Sequence, residues 1–290
     1  MMYFNNGMIM ASITSWITDK LVEWFGGGIW IELAAEIWNA TLSVVYAMLG
    51  ADPTSGTYAP AWKIVKNLYA SFSAVGSSLL VLFFLIGYLR DITDLRTELT
   101  LDGTIKIFIR LIISVNVFNY AIDWMPDLFS WAIRLLGLTS EASVTIDAQA
   151  IIDQVTGAGW GFMTLYLLGF IFFIVAAICC VVIIITGIGR FLKLYEVAPL
   201  ATIALSTLAA GGQIAHTGYA YIKTFLTYTF EIVVIGIALA VAGSFVSASS
   251  FFDTGSNSSL LILLESMIKM IAVATAVKGS ETIIRRAFNL

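Results

Sequence analysis

The sequence predicts an all-α membrane protein, a polytopic helical bundle of about five spanning helices with one broken helix and N-terminal amphipathic helices. Three observations predict it. Apolar residues fill 59% of the 290 positions and charged residues only 12%, against about 25% charged in soluble domains. The mean hydropathy is +0.93. The apolar residues also gather into runs long enough to cross a hydrocarbon core of about 30 Å, which takes about 20 helical residues. The formal charge of −4 says nothing for or against a nucleic-acid partner, so the placement of Lys and Arg matters more than their sum.

Residues 1–60 read as amphipathic or interfacial helices on the extracytoplasmic side, and residues 61–290 as the transmembrane bundle. The first basic residue is Lys20, so no positively charged leader of the cleavable kind is expected. Residues 8–25 are apolar but carry Asp19, Lys20 and Glu23. After three glycines, residues 29–49 place Glu32, Glu36 and Asn39 at i, i+4 and i+7, one helical face. Trp24, Trp30, Trp38 and Tyr46 suit an interface. This second stretch either lies on the membrane or a partner, or spans.

Asp52-Pro53 through Pro60 reads as a loop. The first span covers residues 71–89 and ends at a charged turn with Arg90, Asp91, Asp94, Arg96 and Glu98. The second, 104–125, starts with Lys106 and Arg110 near its end and carries Asn116 and Asn119 deeper. Arg110 can snorkel to the headgroups, and the asparagines suit interhelical hydrogen bonds. Residues 126–159 read as a long acidic loop with one basic residue, Arg134, and a short interfacial helix over 127–138. The third span, 161–188, is the most apolar stretch. It contains Cys179 and Cys180, whose adjacency lacks metal or redox spacing and reads as packing. The fourth and fifth spans cover 224–246 and 260–277.

Between the third and fourth spans lies the stretch that organises the chain, residues 190–228. Pro199, Gly211 and Gly212 break it. Residues 200–210 would make only about 16 Å of helix, too short to cross. Irregular backbone at membrane depth survives only when covered by protein or lining a wet cavity. Residues 197–221 are therefore expected to form a re-entrant or interfacial broken helix, a candidate pore or gating element. Counting Lys and Arg puts Arg90, Arg96, Lys106, Arg110, Arg190, Lys193, Lys223, Lys278, Arg285 and Arg286 on one side. Lys20, Lys63, Lys66 and Arg134 fall on the other. The richer side should be cytoplasmic, with the N-terminus outside, the C-terminus inside, and the broken segment entering and leaving at the inner face.

Ionisable residues inside spans face a bundle interior or a wet cavity. Glu231, Glu265 and Lys269 are such residues. Glu231 could pair with Lys269 at a similar depth, while Glu265 and Lys269 share a face at i, i+4. An ion pair fixing helix register, a hydrophilic path lining and a proton relay are the readings. Arg190, Lys193 and Lys223, with Phe191, Tyr195, Tyr219 and Tyr221, flank the break. They are either positive-inside anchors or a cytoplasmic mouth for a polyanion, since basic grooves with aromatic neighbours hold single strands. His216 is the one histidine and reads as a loop or interface residue. Gly236, Ala240 and Gly243, with Ala272 and Ala276, suggest close helix packing or an oligomer face.

Around this segment the chain resembles a known family. Arg190-Phe191 and Lys193-Leu-Tyr195, then Ala198-Pro199, Ala209-Ala-Gly211 and Tyr221-Ile-Lys223-Thr-Phe225 are similar to the core of TrbL-type inner-membrane subunits of conjugative type IV secretion systems. The Gram-positive mobile-element versions are the most similar. The similarity covers about residues 160–250 and includes no catalytic signature. Its Ala-rich stretch after Ala-Pro and its weakly charged turn at 212–218 depart from the family pattern. The resemblance implies a channel or scaffold subunit in a bacterial cytoplasmic membrane that helps pass single-stranded DNA with attached protein. It also implies partner subunits and ATPases, and the subunit is expected to be homo-oligomeric. The sequence has no Gly-x-x-x-x-Gly-Lys-Ser/Thr loop, no metalloprotease helix and no Gly-x-Ser-x-Gly, so no enzyme, catalytic residue, metal or cofactor is expected. A secondary transporter or small-ion channel working at the Pro199/Gly211 break is the alternative, though no internal repeat supports it. A purely structural membrane scaffold is the third reading.

Overall fold

A computed structural model describes residues 28–93, 101–137, 145–156, 162–248 and 259–288. The expected helix over 8–25, Lys20, Arg96 and most of the turn at 247–259 lie outside these residues. The described fold is all-α: α1 (Gly28–Leu49), α2 (Ala59–Thr93), α3 (Leu101–Leu136), α4 (Ala148–Thr156), α5 (Phe162–Val197), α6 (Ala201–Ser206), α7 (Ala215–Ala248) and α8 (Ser259–Ala287). Short 3-10 turns precede α2 at Gly56–Tyr58 and flank α6 at Ala198–Leu200 and Thr207–Ala210. Among the described residues five helical stretches are long and apolar enough to cross a membrane: Gly56–Thr93, Gly103–Leu136, Tyr166–Ala210, Ala215–Ser244 and Leu260–Ala287. α1 is not among them.

The helices outrun their expected lengths. α3 continues through Pro126 to Leu136 instead of ending in an acidic loop. Proline removes one backbone donor and costs about 3 kcal/mol in a helix interior. Here the buried face runs across it without a gap, through Phe118, Ala121, Met125, Phe129 and Ala132, so packing carries the helix past the proline. The rest of the expected loop contains α4, whose start is capped by Asp147: its Oδ1 accepts from the Gln149 and Ala150 backbone N–H groups at 3.0 and 3.3 Å. α5 runs on past Arg190 to Val197, and α7 starts at Ala215, well ahead of residue 224.

The chain divides into two compact units. One gathers α1 up to Ala47, α4, α5 up to Ile185, α7 from Ala238 and α8 up to Lys278. In it α1 is amphipathic: Ile31, Ala34, Trp38, Leu42 and Val45 are buried, while Glu32 and Glu36 are exposed. Trp38 is core rather than interfacial. Trp30 packs edge-on to Tyr166 and Phe170, with ring centroids at 5.9 and 5.1 Å. Asn39 binds the Ile146 backbone twice, its Nδ2 donating to the carbonyl at 3.1 Å and its Oδ1 accepting from the N–H at 3.0 Å.

The other unit holds α2, α3, α5 from Thr186, the segment 197–212, α7 up to Ile237 and α8 from Gly279. Its core gathers Trp62, Val65 and Tyr69 of α2, Met125 and Phe129 of α3, Leu194 of α5, Ala198, Ala201 and Leu205 of the broken segment, and Phe225 of α7. The small residues of the broken segment follow from this packing. α2 presents Gly76 and Gly87 to it, and a Cβ on Gly76 would lie 2.8 Å from the Thr202 carbonyl oxygen. On Gly87 it would lie 2.2 Å from that of Ala210. α2 and α3 are antiparallel and locked in register by the Tyr69 hydroxyl, which donates to the Phe118 carbonyl at 2.8 Å.

Candidate functional site

The broken segment forms the first half of the site. Its start is fixed at the beginning of α2: Phe191 stacks on Tyr58 with centroids 4.6 Å apart, and the Tyr195 hydroxyl donates to the Pro53 carbonyl at 2.8 Å. Its finish lies at the other end of the same helix, against Gly87 and Arg90. Residues 197–212 therefore run along α2 from one end to the other, and α7 then returns beside them, Tyr221 coming back to the Val197 carbonyl. Arg190 and Lys193 consequently sit at the opposite end of α2 from Arg90 and Arg110, which separates two groups that the charge count had placed together. The count adds local charges but carries no information on which helix end each approaches.

Pro199 lies in the first 3-10 turn and is buried. Gly211 and Gly212 end the segment at φ of +65° and +54°, a region that side chains with a Cβ avoid. Two arginines close over them. Arg90 Nη1 donates to the Gly211 carbonyl at 3.5 Å, and Arg110 packs where a Gly211 Cβ would stand, 2.1 Å from its Nη1. Asp91 holds both, with Arg90 Nη2 at 3.2 Å and Arg110 Nη2 at 3.1 Å. Cations suit this place because the carbonyls at a helix C-terminus carry partial negative charge. Arg110 thus grips the break rather than snorkelling freely.

The second half is a charged cluster at the segment's start. Lys193 pairs with Glu281, and Arg285 Nη2 reaches the same carboxylate at 3.0 Å. Arg285 Nη2 also donates to the Tyr228 hydroxyl at 2.8 Å, and Lys193 and Arg285 both lie over the Tyr228 ring, at 5.8 and 5.6 Å from its centroid. Behind them Arg190 and Glu231 are each only 1% exposed. Glu231 lies in the field of Lys193, Glu281, Arg190 and Arg285. Among the described residues its Oε2, and the Nε and Nη1 of Arg190, have no hydrogen-bond partner. Buried charges left this way are costly.

Of the expected mouth residues, Tyr219 and Lys223 are exposed on the first turns of α7. Arg190 and Phe191 are buried. Lys193 is tied to Glu281, and Tyr221 donates to the Val197 carbonyl at 3.2 Å. Glu265 and Lys269 pair with each other at 2.8 Å. His216 is exposed, at the start of α7. Asn116 and Asn119 are exposed, and Asn116 Nδ2 donates to the Ile112 carbonyl of its own helix at 2.8 Å. Among the described residues no group of His, Cys, Asp and Glu could hold a metal ion. Sequence reasoning missed Tyr58, Asp91, Tyr228 and Glu281. The i, i+4 spacing of Glu281 and Arg285 was the one available signal. Compared with known proteins, the chain matches no family model, and no curated protein is similar to it.

Proposed function

We propose that this multi-span membrane protein is a non-enzymatic channel or scaffold subunit of a conjugative type IV secretion machine. It helps pass single-stranded DNA with attached protein across the cytoplasmic membrane, alongside partner subunits and ATPases that supply the energy. The residue resemblance around the break motivates this reading. The observation that carries it is the segment 197–212, an interrupted helix packed along α2 and ended by two positive-φ glycines under Arg90 and Arg110. Broken backbone at membrane depth survives where protein covers it or where it lines a wet path. The end of α2 and α3 that carries Arg90, Arg96, Lys106 and Arg110 faces the cytoplasm in this reading. Tyr219, one turn into α7, then stands nearest the inner mouth, and Lys223 a further turn along, toward Val197, where an aromatic ring and a cation suit a single strand.

The test is photocrosslinking in cells caught during DNA transfer, with a photoreactive residue at Tyr219 or Lys223 and at Leu82, exposed on α2, as control. DNA adducts at the first two and not at Leu82 support the reading. Their absence, with normal expression and transfer, removes it. The buried Arg190 and Glu231 favour a second reading, a small-ion or solute carrier. Flux through proteoliposomes that disappears in Glu231→Gln would favour it over DNA passage.

A further inference from the structure

The exposed faces of α2 and α3 carry a pattern that a lipid-facing surface does not require. With about 100° between successive residues, the surface of α2 away from Tyr69 and Gly76 divides into two strips. One holds Ile64, Leu68, Val75, Leu82 and Ile86, all exposed. The other, beside it, is polar over its first half, with Lys63, Lys66, Asn67, Ser71, Ser77 and Ser78 all exposed, and turns apolar further on at Val81, Leu85 and Leu89. On α3 the exposed polar residues are Asn116, Asn119, Asp123, Asp127, Ser130 and Arg134. Their spacings of three and four keep them on one face, opposite the buried Phe118, Met125 and Phe129.

The two strips match in charge. The α2 strip begins with two lysines and the α3 strip carries two aspartates. No ion pair joins Lys63 or Lys66 to Asp123 or Asp127 within the described residues. They also match in depth. The Tyr69–Phe118 hydrogen bond and the Trp62–Phe129 ring contact at 5.8 Å fix the antiparallel register. Lys63 is therefore level with Asp127, Asn67 with Asp123, Ser71 with Asn119 and Ala74 with Asn116, each to within about one helical turn. Copies inserted the same way into one bilayer are related by rotation about the membrane normal, which leaves depth unchanged. Residues level within one chain are then the residues that meet between two.

We propose that the polar strip of α2 in one copy docks on the polar strip of α3 in a second copy of this chain. At the headgroup end Lys63 and Lys66 face Asp127 and Asp123, where opposite charges fix register and partner. Deeper, the small side chains of Ser71 and Ala74 admit the Asn119 and Asn116 carboxamides, which gain interhelical partners that they lack among the described residues. A second copy is favoured over a different protein because both halves of the match lie on this chain, at equal depth and with opposite charge. The contact uses different patches on its two sides, so it can repeat from copy to copy.

Disulfide trapping in native membranes tests this. Ser71→Cys and Asn119→Cys are placed in separately tagged full-length chains, produced together and oxidised with copper phenanthroline. The unsubstituted chain controls for Cys179 and Cys180, which are buried. Leu68→Cys, on the apolar strip at nearly the same depth, replaces Ser71→Cys as a geometric control. A dimer carrying both tags is expected for the Ser71/Asn119 pair, at least tenfold stronger than for Leu68/Asn119. Lys63→Glu with Lys66→Glu should abolish it, and adding Asp123→Lys with Asp127→Lys should restore it, an outcome that misfolding cannot produce. Equal trapping from Leu68 and Ser71, no trapping from either, or loss without charge-swap rescue overturns the proposal. The contact is independent of what the assembly carries: trapping in cells that hold no DNA-transfer machinery sustains it even if the DNA reading fails.

Discussion

Replacing Gly87 with alanine tests the close approach of the broken segment to α2. In an ordinary helix interior the change stabilises, by about 1 kcal/mol, because alanine is the better helix former. At Gly87 the new Cβ would stand 2.2 Å from the Ala210 carbonyl oxygen and 2.8 Å from its Cα. Ordinary contact begins near 3.4 Å, so two backbones must part by about 1 Å, and neither can swing away as a side chain could. Overpacking of this kind costs about 1–3 kcal/mol. A clash with backbone belongs at the upper end, which leaves a net loss of about 2 kcal/mol after the helix gain. Gly189, on α5, has open space around its Cβ position, so Gly189→Ala should stabilise by about 0.5–1 kcal/mol. The assay is thermal unfolding of the purified full chain in detergent, run for both variants beside the unsubstituted protein. Opposite shifts are expected. A Gly87→Ala variant as stable as Gly189→Ala would mean that the segment does not lie on α2, and would refute the account of the break.

Gly211→Ala should cost about 1–3 kcal/mol in backbone strain, because ψ of −175° with φ of +65° is territory for glycine; Gly212→Ala, also at positive φ, should destabilise as well, and the same melts read both. Arg190→Met should destabilise the unsubstituted chain more than it destabilises Glu231→Gln, with a coupling of about 0.5–3 kcal/mol in a double-mutant cycle; additive effects would show that the two buried charges do not sense each other. Tyr228→Phe keeps the ring under Lys193 and Arg285 but removes the hydroxyl that Arg285 donates to, and should cost about 1 kcal/mol, readable as a lower melting temperature at unchanged expression.

Much of the fold could be read because lipid imposes it. Long apolar runs must be helices, since no other open structure satisfies its own backbone in hydrocarbon. The break was legible for the same reason, in Pro199 and the two glycines. The path of the broken segment was not. Nothing local in residues 197–212 says that they lie along α2; that depends on Gly76 and Gly87, more than a hundred residues earlier, whose missing side chains make the room. Pro126 misled in the opposite direction. Its local preference ends helices, and burial of Met125 and Phe129 on either side outweighs it. Glu231 stood out as an ion inside a span, but its surroundings come from three helices. The suggested partner was Lys269, which instead binds Glu265 one turn away.

The seat of the broken segment also has an order of manufacture built into it. Residues 197–212 make too little continuous helix to enter a bilayer alone, which takes about 20 residues. The surface that receives them is made by α2 and α3, and both leave the ribosome earlier. A nascent chain that reaches Ala210 can hand the segment directly to a waiting helical hairpin, in keeping with the N-terminal-first assembly of multi-part proteins. Faults in α2 should then show themselves late in synthesis, as chains whose α5 is inserted and whose following residues are left stranded at the membrane surface for quality-control proteases to find.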